Sequence, residues 1–299
     1  MLFSYILFVL VIVSGIAYVQ DHFFAGPKRK KALEARLESN SNITAEEKKK
    51  ILEKTGIVGE LASMFWVLLV VFVFRAFIYE PFRIPSGSML PTLQPGDFIA
   101  VEKWSYGIRN PLTNEVWIDT GRPERGEIAV FLYPEDESTC YIKRIVGLPG
   151  DTVIYKDKEL FIKEKDSDTV KPVARHVVGK VTAEGIGFVD NYDVYEEKLG
   201  EIDHHMMVNQ NSVDLTSYYY KQSGGSDGEW VVPEDCYFAM GDNRDNSKDS
   251  RFWGFVPNRD LIGRTVGIWL SFDFERSPDD WLPSWIPTAV NFDRIGGVH

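Results

Sequence analysis

Cysteine is nearly missing from this chain, which has only Cys140 and Cys236. Two thiols cannot build a disulfide framework or a four-cysteine zinc site. Histidine is scarce too, with five in all (His22, His176, His204, His205 and His299). None of them falls in H-E-x-x-H, and no serine falls in G-x-S-x-G. A zinc peptidase or a serine–histidine–aspartate hydrolase therefore has no support. The adjacent pair His204 and His205 reads as plain surface. Positive charge is in the minority, 33 Lys+Arg against 44 Asp+Glu for a net −11. That disfavours nucleic-acid binding, which rests on phosphate neutralisation. Past residue 80 no long amphipathic helical pattern occurs. A chain of 299 residues with 44% hydrophobic and 26% charged side chains is not disordered as a whole.

Charge is also absent from residues 1–20, which read as one apolar run. A second uncharged run covers 61–74, and its apolar character resumes past Arg75 as far as Tyr79. Each approaches the roughly 20 residues that span a bilayer core of about 30 Å. No lysine or arginine precedes the first run, so a retained span at 1–20 is expected in place of a cleaved signal peptide. Between the spans, residues 21–60 form a short basic loop containing Lys28, Arg29, Lys30, Lys31, Lys48, Lys49 and Lys50. The positive-inside rule assigns this loop to the cytoplasm, and everything after Tyr79 to the far side. Thr44 to Glu47 resembles a capping box.

The remainder reads as mainly β. Short β-branched and aromatic runs, such as residues 127–132 and 152–155, alternate with Pro95-Gly96, Arg125-Gly126 and Pro149-Gly150 turns. Residues 80–155 and 231–299 are expected to form one β core. The more polar stretch 156–230 reads as an inserted subdomain.

Three segments carry candidate chemistry. In PSGSMLPTL (85–93) two serines flank Gly87 between prolines, just past the second span. In YIKRIVGLPGD (141–151) Lys143 and Arg144 are adjacent in an apolar strand. Alternation sends them to opposite faces, so one points inward. A lysine held out of water loses affinity for its proton and can act as a general base near neutral pH. GDNRDNSKDSRFWGFVP (241–257) packs Asp, Asn, Arg and Ser between apolar flanks. It fails the calcium-loop template in every register, and a hydrogen-bonded network supporting a site is the better reading.

Taken with GDFIAVEKWSYGIR (96–109), these segments resemble the bacterial type I signal peptidase (leader peptidase) family. The likeness is to its two-span proteobacterial form, covers nearly the whole chain and is weakest over 156–230. It implies a signal-peptidase-like β catalytic core with an inserted β-rich subdomain, preceded by two transmembrane helices. It implies Ser88 as nucleophile and Lys143 as general base. Ser86 would complete the oxyanion hole with the Ser88 N–H, and Ser247 would orient the lysine. Asp242 with Arg144, and Asp249 with Arg251, would be structural ion pairs. Phe82, Ile84, Pro85, Met89, Leu93, Tyr141 and Ile142 would line shallow apolar substrate pockets.

The activity implied is removal of signal peptides after small-x-small sites on the periplasmic side of the inner membrane. The partners implied are preproteins, membrane lipid and the export translocon, with no cofactor and no metal. Cys140 abuts the lysine strand and Cys236 the Asp/Asn loop, and whether they bridge stays open. Trp269, Trp281 and Trp285 are candidates for the membrane interface, with core packing the alternative for Trp269. A repressor-type serine–lysine autoprotease and a tethered β domain without activity are the competing classes. Two spans and the lack of a DNA-binding helix pair weigh against the first.

Overall fold

The computed structural model describes residues 2–39, 43–185, 188–213, 215–274, 283 and 285–298. The chain divides into two units, Met1–Phe77 and Ile78–His299. Trp281 lies outside the described residues.

The first unit is helical. Helix α1 (Leu2–Gln20) passes through a π-helical turn into α2 (Gly26–Ser39). A short α3 (Ala45–Leu52) follows, then α4 (Gly56–Val73). The capping box at Thr44 is formed: its hydroxyl accepts from Glu47 N while the Glu47 carboxylate accepts from Thr44 N. Helices α1 and α4 pack through Phe8 on Phe72 (5.8 Å between ring centroids) and Tyr18 on Phe65 (5.1 Å). Gly15 permits this approach, since a Cβ there would meet the Phe65 ring at 3.1 Å. Most other side chains on both helices are exposed and apolar, including Ile16, Val67 and Val70. Two helices are thus long and apolar enough to cross a membrane. The connection between them is tied to α1 by Asp21, which pairs with Arg29 at 2.8 Å and Lys54 at 3.5 Å.

The second unit is built of antiparallel sheets. Its strands are β1 (Tyr79–Arg83), β2 (Asp97–Glu102), β3 (Ile128–Tyr133) and β4 (Asp136–Gly147). They are followed by β5 (Thr152–Lys156), β6 (Glu159–Lys163), β7 (Arg175–Gly185) and β8 (Phe188–Leu199). Four more are β9 (Ile202–Asn209), β10 (Glu229–Val231), β11 (Cys236–Met240) and β12 (Leu261–Asp273). The main sheet runs β1-β2-β12-β3-β4-β11. A second sheet joins β10, β5 and β6, and a third joins β7, β8 and β9. Strand β3 is buried on both faces, which is why it reads as a continuous apolar run.

Of the three core clusters among the described residues, two lie on the two sides of the main sheet. One cluster holds Ile84, Met89, Leu93, Ile99 and Val130, with Phe82 and Ile142 packed against it. The other holds Phe131, Tyr133, Trp253 and Leu261, with Tyr141 packed against it. Strand β4 therefore serves both: alternation sends Ile142 to the first and Tyr141 to the second. Over Arg144 to Gly147, β4 pairs with β11, and its pairing with β3 ends at Arg144. From Asp136 to Lys143 it keeps β3 but has no strand on its other edge among the described residues. Far downstream, Arg294 donates to both Asp97 carboxylate oxygens (2.9 and 2.6 Å) and to the carbonyl of Thr92 (3.0 Å). Cys140 and Cys236 are free thiols. Trp269 and Trp285 are 50% and 74% exposed.

Candidate active site

Ser88 sits in the one-turn 3-10 helix Gly87–Met89, immediately after the extended residue Ser86. Beneath it Met89 and Leu93 are fully buried, which anchors the turn while leaving Ser88 half-exposed. Lys143 reaches this turn from β4. Its Nζ lies 2.7 Å from Ser88 Oγ and donates to the Ile142 carbonyl at 2.8 Å. Only 4% of Lys143 is exposed. Burial pulls its pKa down to about 8, outweighing Asp249 and Asp242, which favour the charge. Ser86 Oγ is 3.4 Å from Ser88 Oγ.

The two arginine–carboxylate pairs are both buried and bidentate. Arg144 donates to Asp242 Oδ1 and Oδ2 at 2.8 and 2.7 Å, and Arg251 to Asp249 at 2.8 and 2.8 Å. Burial alone would raise both carboxyls, but the arginines hold them below the usual range. Asp249 Oδ2 also accepts from Gly241 N at 2.9 Å. Ser247 is buried among these groups. Its hydroxyl makes no hydrogen bond to Lys143 in this structure.

A cavity of about 340 Å³ opens over the serine and the lysine. It is lined by residues 85–88 and 139–143, with Asn246 and Lys248. Among the expected pocket residues, Pro85, Tyr141 and Ile142 line it directly. Ile84, Met89 and Leu93 lie in the core cluster below, with Phe82 beside them.

Other supports of the site were not apparent from the sequence. Asn243 donates from its backbone N–H to the Ser88 carbonyl and from Nδ2 to the Gly87 carbonyl, both at 3.1 Å. Thr92 Oγ1 donates to Asp242 Oδ2 at 2.6 Å. The third sheet reaches the same loop, since Met207 N donates to the Asp242 carbonyl at 2.8 Å. Glu197 forms a buried bidentate pair with Arg244, 3.0 Å from Oε1 to Nη1. The Arg244 charge holds Glu197 at about 2 against burial, which acts in the opposite sense.

The surface reading of the histidine pair is corrected for His204. Its side chain is fully buried, 3.4 Å from Glu197 and 3.8 Å from Asp242. Burial and then the Arg144 charge lower its pKa, against Glu197 and Asp242, which favour the charged ring. His205, next along the strand, is exposed.

The chain has relatives among known proteins. Residues 57–270 match the family model described as signal peptidase, peptidase S26. Signal peptidase I of Buchnera aphidicola (subspecies Acyrthosiphon pisum) is 39% identical over 87% of this chain and 88% of its own. The enzyme of that name from Pseudomonas fluorescens is 38% identical over 98% of both chains, and that from Pseudomonas aeruginosa 36% over 99% of both. With this extent of similarity, two membrane-length apolar helices and a mainly β fold around the site, the chain belongs to the signal peptidase (peptidase S26) family and is a membrane-associated peptidase.

Proposed function

We propose that the protein removes N-terminal signal peptides from exported preproteins after small-x-small sites, with Ser88 as nucleophile and Lys143 as general base. The observation that carries this reading is the 2.7 Å contact between Ser88 Oγ and a lysine amine buried enough to be neutral near pH 8. A serine hydroxyl is a weak nucleophile until a base takes its proton. The neutral amine accepts that proton as Oγ attacks the scissile carbonyl, then returns it to the departing amine. Water, activated by the same amine, hydrolyses the resulting ester and frees Ser88. Ser86 Oγ and the Ser88 N–H are the donors for the oxyanion, and one such donor is worth about 2.7–4 kcal/mol.

Substrate geometry follows from the open edge of β4. An extended peptide that pairs beside residues 139–142 presents alternate side chains to Ile142 and to Tyr141. The residue at the cut faces the Ile142 side, where buried Ile84, Met89 and Leu93 leave room for a small side chain only. Arg144–Asp242 and Arg251–Asp249 hold the loop against the catalytic strand, and the subdomain at 156–230 braces that loop through Glu197. In this reading both apolar helices cross the inner membrane. The basic loop 21–60 faces the cytoplasm, and the rest meets lipid and translocon on the periplasmic side.

The test is cleavage by the full-length protein in detergent of a preprotein with an Ala-x-Ala site. Ser88→Ala and Lys143→Ala should each fall to background while keeping the wild-type circular dichroism spectrum. Cleavage surviving in Lys143→Ala would assign the base to another group. Reporter fusions after Lys31 and after Gly121 should report opposite compartments, cytoplasm and periplasm respectively.

A further inference from the structure

Resting on the proposed function, we infer that Lys248 selects the residue one before the cleaved one, the middle position of small-x-small, in favour of an acidic side chain. Lys248 lines the cleft together with the two walls that hold the peptide. Its Nζ lies 5.2 Å over the Tyr133 ring, and Tyr133 stacks on Tyr141 with centroids 4.4 Å apart and planes 4° from parallel. The ammonium is therefore carried on the Tyr141 side of β4, the side opposite the small-residue pocket. An extended peptide whose last residue turns its side chain toward Ile142 turns the preceding one toward Tyr141 and Lys248.

The charges around that position favour an anion. No aspartate or glutamate lines the cleft among the described residues. Lys143, the other cation there, is neutral in its active form. Glu135 is the nearby competitor, 3.7 Å from Lys248 Nζ, and its carboxylate also accepts from Tyr133 OH. Lys248 and Glu135 are 60% and 58% exposed, so both stay hydrated and their pairing is weak. A substrate carboxylate meets Lys248 on similar terms, which makes the effect a preference and not a requirement.

The test uses full-length protein in detergent and three peptides, Ala-Glu-Ala, Ala-Gln-Ala and Ala-Lys-Ala before the cut, in otherwise one sequence. The quantity read is the ratio of kcat/KM for Glu over Lys. At low salt it should be about threefold to tenfold, and at about 0.5 M salt it should approach one. Lys248→Gln should bring the low-salt ratio to about one, whereas Glu135→Gln should widen it. A merely structural lysine would change all three peptides together and leave the ratio alone. A ratio near one in the unaltered protein, or one that persists in Lys248→Gln, overturns the inference while leaving the peptidase reading intact. Failure to cut any of the three peptides overturns that reading itself.

Discussion

The backbone N–H of Asn243 is bonded to the carbonyl oxygen of Ser88, 3.1 Å away across 155 positions of sequence. The loop after β11 and the Ser88 turn are thus one hydrogen-bonded unit. Gly241 allows the contact, because a Cβ there would come within 2.5 Å of the Ser88 carbonyl oxygen and would collide with Ser247. Gly241→Ala should push the turn away from Lys143, cost about 1–3 kcal/mol of stability, and lower kcat by at least tenfold. Unfolding curves and peptide cleavage measure the two effects separately. Wild-type kcat in this variant would mean that the turn tolerates displacement.

In the proposed mechanism the Lys143 amine acts when neutral, so kcat/KM should rise as pH climbs through about 8 and fall on the acid side. Lys143→Arg should be inactive throughout, since a guanidinium does not deprotonate.

The same burial costs stability. The folded lysine titrates at about 8 and the free side chain near 10.5, so the penalty is complete below pH 8 and disappears as pH rises through 10.5. Lys143→Met should gain about 2 kcal/mol at pH 7 after the loss of its two hydrogen bonds. That gain should shrink at pH 10 when Tm is compared at the two values.

Arg144 and Asp242 are each 1% exposed. Removing either partner leaves a buried charge unpaired, so Arg144→Leu and Asp242→Leu should each cost about 3–5 kcal/mol. The double variant should cost less than the sum of the two. Additive losses in denaturant unfolding would show that the pair is not coupled.

Glu197 predicts an acid limb of stability. Its folded pKa of about 2 lies below the ordinary 4.5, so its contribution is complete above 4.5 and is lost as pH falls toward 2. Glu197→Gln should flatten that part of the stability profile. Because Arg244 belongs to the loop that carries Asn243, the same change should also lower cleavage at pH 8.

The β core was legible where burial leaves a pattern. Ile128–Tyr133 is buried at every position and Thr152–Lys156 alternates, so both read directly as strands. The first half of β4 did not, because Asp136 to Cys140 is exposed and carries no periodicity. The β7–β8 hairpin was opaque for a similar reason, with much of it solvated on both faces. Ser88 and Lys143 were paired by the resemblance, whereas residue pattern alone gave no contact between positions 55 apart. His204 was misread because what buries it, Glu197, Arg144 and Asp242, comes from three separate strands or loops. Adjacent histidines in a polar stretch give no hint of such partners.

Arg294 holds the carbonyl of Thr92, 202 positions earlier in the chain. During synthesis the segment carrying Ser88 emerges in the first third of the polypeptide and must wait for its clamp. Until Arg294 has left the ribosome, Asp97 and the Thr92 carbonyl are without this cationic partner.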